Sequence, residues 1–385
     1  MRKLIILASA MIFFDVAFFA AIAPLLPEYV DSLGLSKAEA GILSAAYAAG
    51  TLMASLPAGY VASRAGPRRT VIAGLLLLGC SSLVFGFGQQ IVLLDLTRFV
   101  QGVAGALIWS GALTWLITAA PEERRGSIIG AALGTAVAGA LLGPALGAVA
   151  GEVGTEPVFS SVLLITIALA YAASRLPETR APESQGLGEV GATLVSRPVL
   201  LSAAFVAVPS LMFGAIEVLV PLRIDDLGGG HGLIAAGFIL GAGMEATLAP
   251  FAGRLSDRVG RRLPYTVGLS VCAVAMVVIA LVPTLEQVIA GLILTSLGAG
   301  LCFAPALTLI SDVADLSDLH QGFAAGLSNM AWALGQVLGG IGGGVVADFT
   351  GNAAPSLAIA LLLVFTVFYA FRTMQGAEPR AATPS

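Results

Sequence analysis

Three carboxylates and one guanidinium stand in places where charge is costly. Asp15 interrupts the apolar run MIFFDVAFFAAIAPLLP, Glu217 lies in a run that reaches Pro221, and Glu245 lies between His231 and Arg254. Lys3 and Pro27 each stand twelve residues from Asp15. In a helix each interval rises roughly 18 Å, which puts Asp15 near the middle of a bilayer-long segment. A charge there costs at least ~2.5–3.5 kcal/mol on insertion scales, so it must face protein or a water-filled cavity. Arg98 is the matching cation within an apolar run, with Gln101 on the same helix face at i, i+3. An acid that exchanges an arginine partner for a proton or a foreign cation is a coupling device. A structural Asp15–Arg98 ion pair is the plainer alternative, and the two are compatible. Glu217 lies six residues before Arg223, roughly 9 Å in rise, so plain contact with outer water is its alternative. For Glu245 the alternative is a hydrogen-bonded acid between helices.

Aromatic and amide residues recur at helical spacing around these acids. Phe18 and Phe19 follow Asp15 by three and four, Phe213 precedes Glu217 by four, and Asn329, Trp332 and Gln336 fall at i, i+3, i+7. Aromatic faces beside carboxylates suit an amphipathic ammonium through charge pairing and cation–π attraction. Lipid contact or core packing is the competing reading of each aromatic. GAGMEA (241–246) fits a dinucleotide fingerprint only as letters, since it sits inside an apolar span with no strand before it. GGIGGG (339–344) reads as a small-residue surface for close helix packing. Cys80, Cys272 and Cys302 stand far apart in apolar runs and read as packed small residues. His231 and His320 are expected in loops as bystanders.

The elements that must carry these groups follow from composition. Of 385 residues, 57% are apolar and 11% charged, with a mean hydropathy of +0.95 and a net charge of −4. Such a chain takes lipid as its solvent and has no nucleic-acid footprint. Apolar runs fall at about 4–26, 38–62, 70–88, 91–120, 125–150, 157–176, 199–222, 232–254, 264–283, 286–311, 321–348 and 355–373. Each is long enough for a helical span, so twelve spans are expected. The first run could pass for a signal peptide, but Asp15 and the continuation into Pro24 and Pro27 favour a retained span. With both termini cytoplasmic, only Lys37 and Arg223 of the 19 Lys and Arg fall in outer loops, and Arg98 lies within a span. The fold class is thus an all-α polytopic membrane protein. Its divisions are expected at 1–176, a cytoplasmic linker at 177–197, 198–374, and a cytoplasmic tail at 375–385.

The second half restates the first. AGYVASRAGPRR (58–69) and AGRLSDRVGRRL (252–263) align at an offset of 194 without a gap, and Pro27, Asp31 and Gly34 meet Pro221, Asp225 and Gly228 at the same offset. Two such six-helix halves can rock against each other around a central site. SDVADLSDLH (311–320) reads either as a solvated turn or as an inner gate in which Asp312 or Asp315 pairs across the halves with Arg64 or Arg68.

These motifs resemble those of the major facilitator superfamily. The loop signature GxxxDRxGRR is matched by Gly59, Arg64, Gly66, Arg68 and Arg69, with Ser63 where an Asp usually stands, and more fully by Gly253, Asp257, Arg258, Gly260, Arg261 and Arg262. RFVQG (98–102) looks like the family's span-four motif. GALLGPALG, with Gly139, Gly143, Pro144 and Gly147, looks like its antiporter motif in span five. APLLPEY points to the twelve-span drug/proton antiporter branch. Within it, Asp15 nine residues before Pro24, Glu217 four before Pro221, and Arg98 resemble vesicular amine transporters and their bacterial relatives. Departures are Asn329 for the span-eleven acid, Gly300 for the span-ten acid, Tyr47 for the span-two Lys, and Glu245 as an added acid.

The resemblance implies two pseudo-symmetric bundles and a non-enzymatic secondary transporter that exports organic cations or lipophilic drugs against protons. Asp15, Glu217, Glu245, Arg98, Gln101 and Asn329 would bind substrate and protons, and Phe18, Phe19, Tyr47, Phe213, Trp332 and Gln336 would line the pocket. No cofactor or metal is expected; the proton gradient supplies the energy. The partners are a small cationic amphiphile, protons and lipid, with no nucleic acid, in a monomer of a bacterial cytoplasmic membrane. A neutral metabolite, sugar or lipid-like cargo is the alternative. A membrane-embedded enzyme or a receptor is the rival of a different class; the sequence offers no nucleophile–base pair for the former.

Overall fold

The computed structural model describes residues 1–120, 125–179, 193, 195–281, 284–317 and 321–374; the side chains of 125–127, 129–131, 133 and 321–323 are outside that description. Arg124, His320, most of the expected linker and the expected tail therefore lie outside the described residues.

The described chain is helical almost throughout: α1 Arg2–Ala20, α2 Ile22–Leu33, α3 Lys37–Ala65, α4 Pro67–Gly86, α5 Ile91–Ala119, α6 Arg125–Val153, α7 Thr155–Ser174, α8 Arg197–Asp226, α9 His231–Val259, α10 Arg262–Leu281, α11 Leu285–Leu316, α12 Gln321–Thr350 and α13 Ala353–Thr373. Together α1 and α2 make one span of 32 residues, and the helices provide 12 spans long and apolar enough to cross a membrane. The first span runs past its expected end at 26 to Leu33, with a break at Ala21. Pro24 explains the break, because its ring crowds the carbonyl four residues back, at Ala20, and its nitrogen has no hydrogen to donate there. Pro27 removes a second helical hydrogen bond from α2.

Small residues let backbones approach within each half. A Cβ at Gly50 or Gly102 would collide with the carbonyl of Phe99 or Tyr47, so α3 and α5 touch backbone to backbone. Gly139, Gly143 and Gly147 set α6 against the backbone of Phe13, Ala17 and Ala21 in the same way. One apolar cluster gathers Met11, Leu25, Leu43, Leu75, Ile108 and Phe159; a second gathers Phe205, Ile216, Tyr265, Met276, Leu292 and Leu363. The halves meet where α3 packs on α12, α6 on α9, and α2 on α8 and α9.

The two ends of the molecule differ in charge and in closure. Arg64, Arg68 and Arg69 and Arg254 to Arg262 mark a basic end. At the opposite end the start of α3 is sealed by the far half. Ser36 and Glu39 form a capping box, and Asp348 of α12 accepts from the N–H of Lys37 (2.8 Å) and of Ala38 (2.9 Å). Lys37 Nζ donates to Asn352 Oδ1 at 2.6 Å. The first-turn N–H groups that a helix leaves without partners are thus satisfied by a carboxylate at the positive end of its dipole. Truncating Asp348→Ala is expected to cost about 0.5–2 kcal/mol, as for loss of a helix cap, read as a lower midpoint in thermal unfolding. His231 corrects the bystander expectation: it opens α9 instead of lying in a loop, and its Nε2 stands 3.8 Å from Glu28 Oε2 in the other half. Cys272 and Cys302 are buried as expected, but Cys80 is exposed on the outside of α4.

Candidate functional site

Asp15 on α1 is fully buried, and every hydrogen bond to it comes from a neutral donor. Tyr47 Oη, from α3, lies 3.0 Å from both carboxylate oxygens, and Trp109 Nε1, from α5, lies 3.0 Å from Oδ2. Arg98, 1% exposed, turns elsewhere: its Nη1 donates to Gln101 Oε1 at 3.0 Å and to the Phe18 carbonyl at 3.5 Å, and its Nη2 donates to the Phe19 carbonyl at 3.2 Å. Gln101 in turn donates to Ser82 Oγ at 3.2 Å. The alternative of a structural Asp15–Arg98 ion pair is therefore not met: none lies within 4 Å among the described residues. The break after Ala20 is the cause. It leaves carbonyls at the negative end of α1, and the rigid guanidinium fork takes them in place of the carboxylate. The guanidinium also lies 5.3 Å from the Tyr47 ring centre and 5.9 Å from that of Phe19.

The second half brings its polar groups to the same seam. Phe19 meets Tyr47 at 4.8 Å and Trp332 edge-on at 5.5 Å, so one aromatic wall crosses from α1 through α3 to α12. Asn329, on the Trp332 face as its spacing requires, donates to Ser55 Oγ of α3 at 3.3 Å. Gln336 donates weakly to Glu217 of α8 at 3.5 Å, while its own Oε1 is buried without a hydrogen-bond partner among the described residues. Phe213 packs on Phe303 at 5.7 Å.

Several expected site residues are not brought in. Phe18 is 4% exposed and lies 6.2 Å from Phe159 in the core of its own half, because successive helix positions diverge by about 100° and Phe19 holds the seam. Glu245, half-buried on α9, has no hydrogen bond or ion pair among the described residues; its backbone lies against Gly300 of α11. Asp312 does not reach Arg64 or Arg68. It lies 3.2 Å from Arg261, which also binds Asp257 at 2.7 Å, while Arg68 pairs with Glu178 at 3.1 Å. Asp315 lies in the last turn of α11. Ser63 donates to the Tyr60 carbonyl at 2.8 Å, Arg64 lies over the Tyr60 ring, and Arg258 is exposed. Gly59 and Gly253 leave open space beside the loops, and Pro144 sits inside α6.

Trp109 is a candidate site residue that spacing from Asp15 left unnamed. Its signal was present, since 98, 101, 105 and 109 fall on one face of α5. Trp109→Phe is expected to cost ~1–3 kcal/mol by removing a hydrogen bond to a buried acid, measured as a drop in the thermal midpoint that Trp109→His partly restores.

The family described as the Major Facilitator Superfamily matches residues 6–314 and 231–385. Multidrug resistance protein 1 of Bacillus subtilis (strain 168) is 26% identical over 361 residues, covering 89% of this chain and 90% of the relative. Multidrug resistance protein 2 of the same organism is 24% identical over 346 residues, covering 85% and 84%. The crystal structure of a bacterial homolog to the human lysosomal transporter Spinster, inward-facing and unoccupied, superposes with a TM-score of 0.80 over 99% of both chains at 14% identity, a likeness of fold.

Proposed function

The chain belongs to the major facilitator superfamily and is a multi-pass secondary transporter, not an enzyme, and we propose that it exports amphipathic organic cations in exchange for protons. The observation that carries this reading is Asp15, a fully buried carboxyl held by Tyr47 and Trp109 with no cation within ion-pair distance among the described residues, beside a seam that also holds Glu217. An acid with only neutral partners is free to take and lose a proton as the cycle demands. Glu217 and the unpartnered Gln336 Oε1 offer two acceptors to an ammonium group, and Phe19, Trp332 and Phe213 offer it aromatic faces. The drug-resistance relatives support a lipophilic cargo. The narrower likeness to amine transporters rests on the spacing of Asp15, Arg98 and Glu217.

The basic end is the cytoplasmic one on the distribution of Lys and Arg. The cation then enters from the cytoplasm while Asp348 and Lys37 hold the far end shut. It pairs with Glu217, the halves rock, and outside a proton taken up by Asp15 lowers the negative charge of the seam and releases it. Because proton and cation exclude each other from one charged seam, each binds when the other has left, and that is sufficient for exchange. The test is movement of a fluorescent amphipathic cation into or out of liposomes under an imposed pH gradient, wild type beside Glu217→Gln. Movement in the wild type that disappears in Glu217→Gln is expected. Unchanged movement in that variant would remove Glu217 from the mechanism, and no cation movement in folded wild type would turn the reading to neutral cargo.

A further inference from the structure

We propose that the second half carries a binding site for the phosphate of an anionic amphiphile, at the basic end and away from the central seam. A cavity of about 440 Å³ opens there between α8, α10, α11 and α13. Arg197 and Arg262 stand at its mouth beside Gly260, and Phe205, Val313 and Met374 form an apolar wall. Arg262 is held 4.1 Å from the ring centre of Phe371. Arg261 is neutralised by Asp257 and Asp312. Arg197 is exposed and joins no ion pair among the described residues. It also begins α8, where Ser196 supplies no side-chain cap.

The internal repeat provides the comparison that gives this cavity a ligand. Gly66 and Arg68 occupy in the first half the places of Gly260 and Arg262 in the second. There the ground is filled by an acid of the same chain. Glu178 lies 3.1 Å from Arg68 and 3.9 Å from Arg69, and Trp115 holds the segment by donating to the Pro177 carbonyl at 3.3 Å. A Cβ at Gly66 would strike the Glu178 carboxylate, whereas one at Gly260 would meet nothing within 4 Å among the described residues. The same loop thus embraces an anion in one half and, in the other, leaves Arg262 without an acidic partner among the described residues. Basic pockets between helices at a cytoplasmic surface hold lipid headgroups, and the apolar wall suits a hydrocarbon chain leading away from the phosphate. Free inorganic phosphate shares the headgroup chemistry without the chain.

Native mass spectrometry of the purified full-length protein, offered phosphatidylglycerol or phosphatidylcholine, tests the site. Preferential retention of phosphatidylglycerol is expected. It should weaken roughly 5-fold in Arg197→Gln and roughly 30-fold in Arg197→Gln/Arg262→Gln, the worth of one and two basic groups at an anionic surface. Arg197 is exposed, so its single substitution keeps the test valid where the double variant fails to fold. Displacement of the retained lipid by excess inorganic phosphate assigns the site to the phosphate alone, and resistance to it assigns it to the lipid; either supports the proposal. Equal retention of both lipids, unchanged retention in Arg197→Gln, or phosphatidylglycerol binding only after removal of residues 375–385 would overturn it.

Discussion

An Asp15→Asn protein is expected to fold, to bind an amphipathic cation, and to fail to concentrate it against a pH gradient. Asparagine keeps the shape of the side chain, and its oxygen can still accept from Tyr47 and Trp109, so the packing of α1 against α3 and α5 survives. Arg98 is not orphaned by the change, because its partners are Gln101 and the carbonyls of Phe18 and Phe19. What disappears is the exchangeable proton. A carrier that trades one proton for one monovalent cation can accumulate cargo about tenfold per unit of pH difference, since each tenfold is worth ~1.4 kcal/mol. The variant should show a ratio near one at any gradient while still exchanging labelled for unlabelled cation. Liposome accumulation measured at several imposed gradients separates the two slopes. A variant that keeps the wild-type slope would show that Asp15 is only a packing group.

That prediction differs from the one charge complementarity alone suggests, and the difference shows what the sequence could and could not carry. The spans, the buried acids and the doubled loop were legible because bilayer thickness and insertion cost act on composition, which any window of the chain displays. The separation of Arg98 from Asp15 was not, because what holds the guanidinium is a set of backbone carbonyls at a helix break. Pro24 and Pro27 signalled a disturbance there, but a side-chain reading does not count carbonyls as partners. Phe18 and Phe19 were equally placed by spacing from Asp15, and only packing against Phe159 separates them. The Asp348 contacts with α3 join residues more than three hundred positions apart, a distance over which periodicity says nothing. Trp109 was the avoidable omission, since helical spacing from Arg98 alone places it on the site's face.

Gly41→Leu and Gly102→Leu introduce the same clash and are expected to end differently. A Cβ at Gly41 would strike the carbonyl of Gly340 on α12, and one at Gly102 would strike the carbonyl of Tyr47 on α3. In both cases the obstacle is backbone, which cannot rotate aside, and overpacking of this kind costs typically ~1–3 kcal/mol or more. Gly102 joins α3 to α5 within one half, where the helices have no second arrangement to adopt. That protein should lose most of its folded yield. Gly41 joins α3 to α12 between the halves, at the end sealed by Asp348, and rocking requires this end to part. The clash can then be relieved by opening rather than by unfolding, which shifts the equilibrium between states by about 5- to 150-fold for a bias of 1–3 kcal/mol. Gly41→Leu should therefore purify as a folded protein, with transport lost and the far end open. Ala45, 3% exposed and beside Gly340, reports on it. An Ala45→Cys reporter should react with a membrane-impermeant thiol reagent in the Gly41→Leu background and resist it otherwise. Equal protection in the two backgrounds, or loss of fold in Gly41→Leu as in Gly102→Leu, would mean that the α3–α12 contact is a fixed joint and that the halves move about another seam.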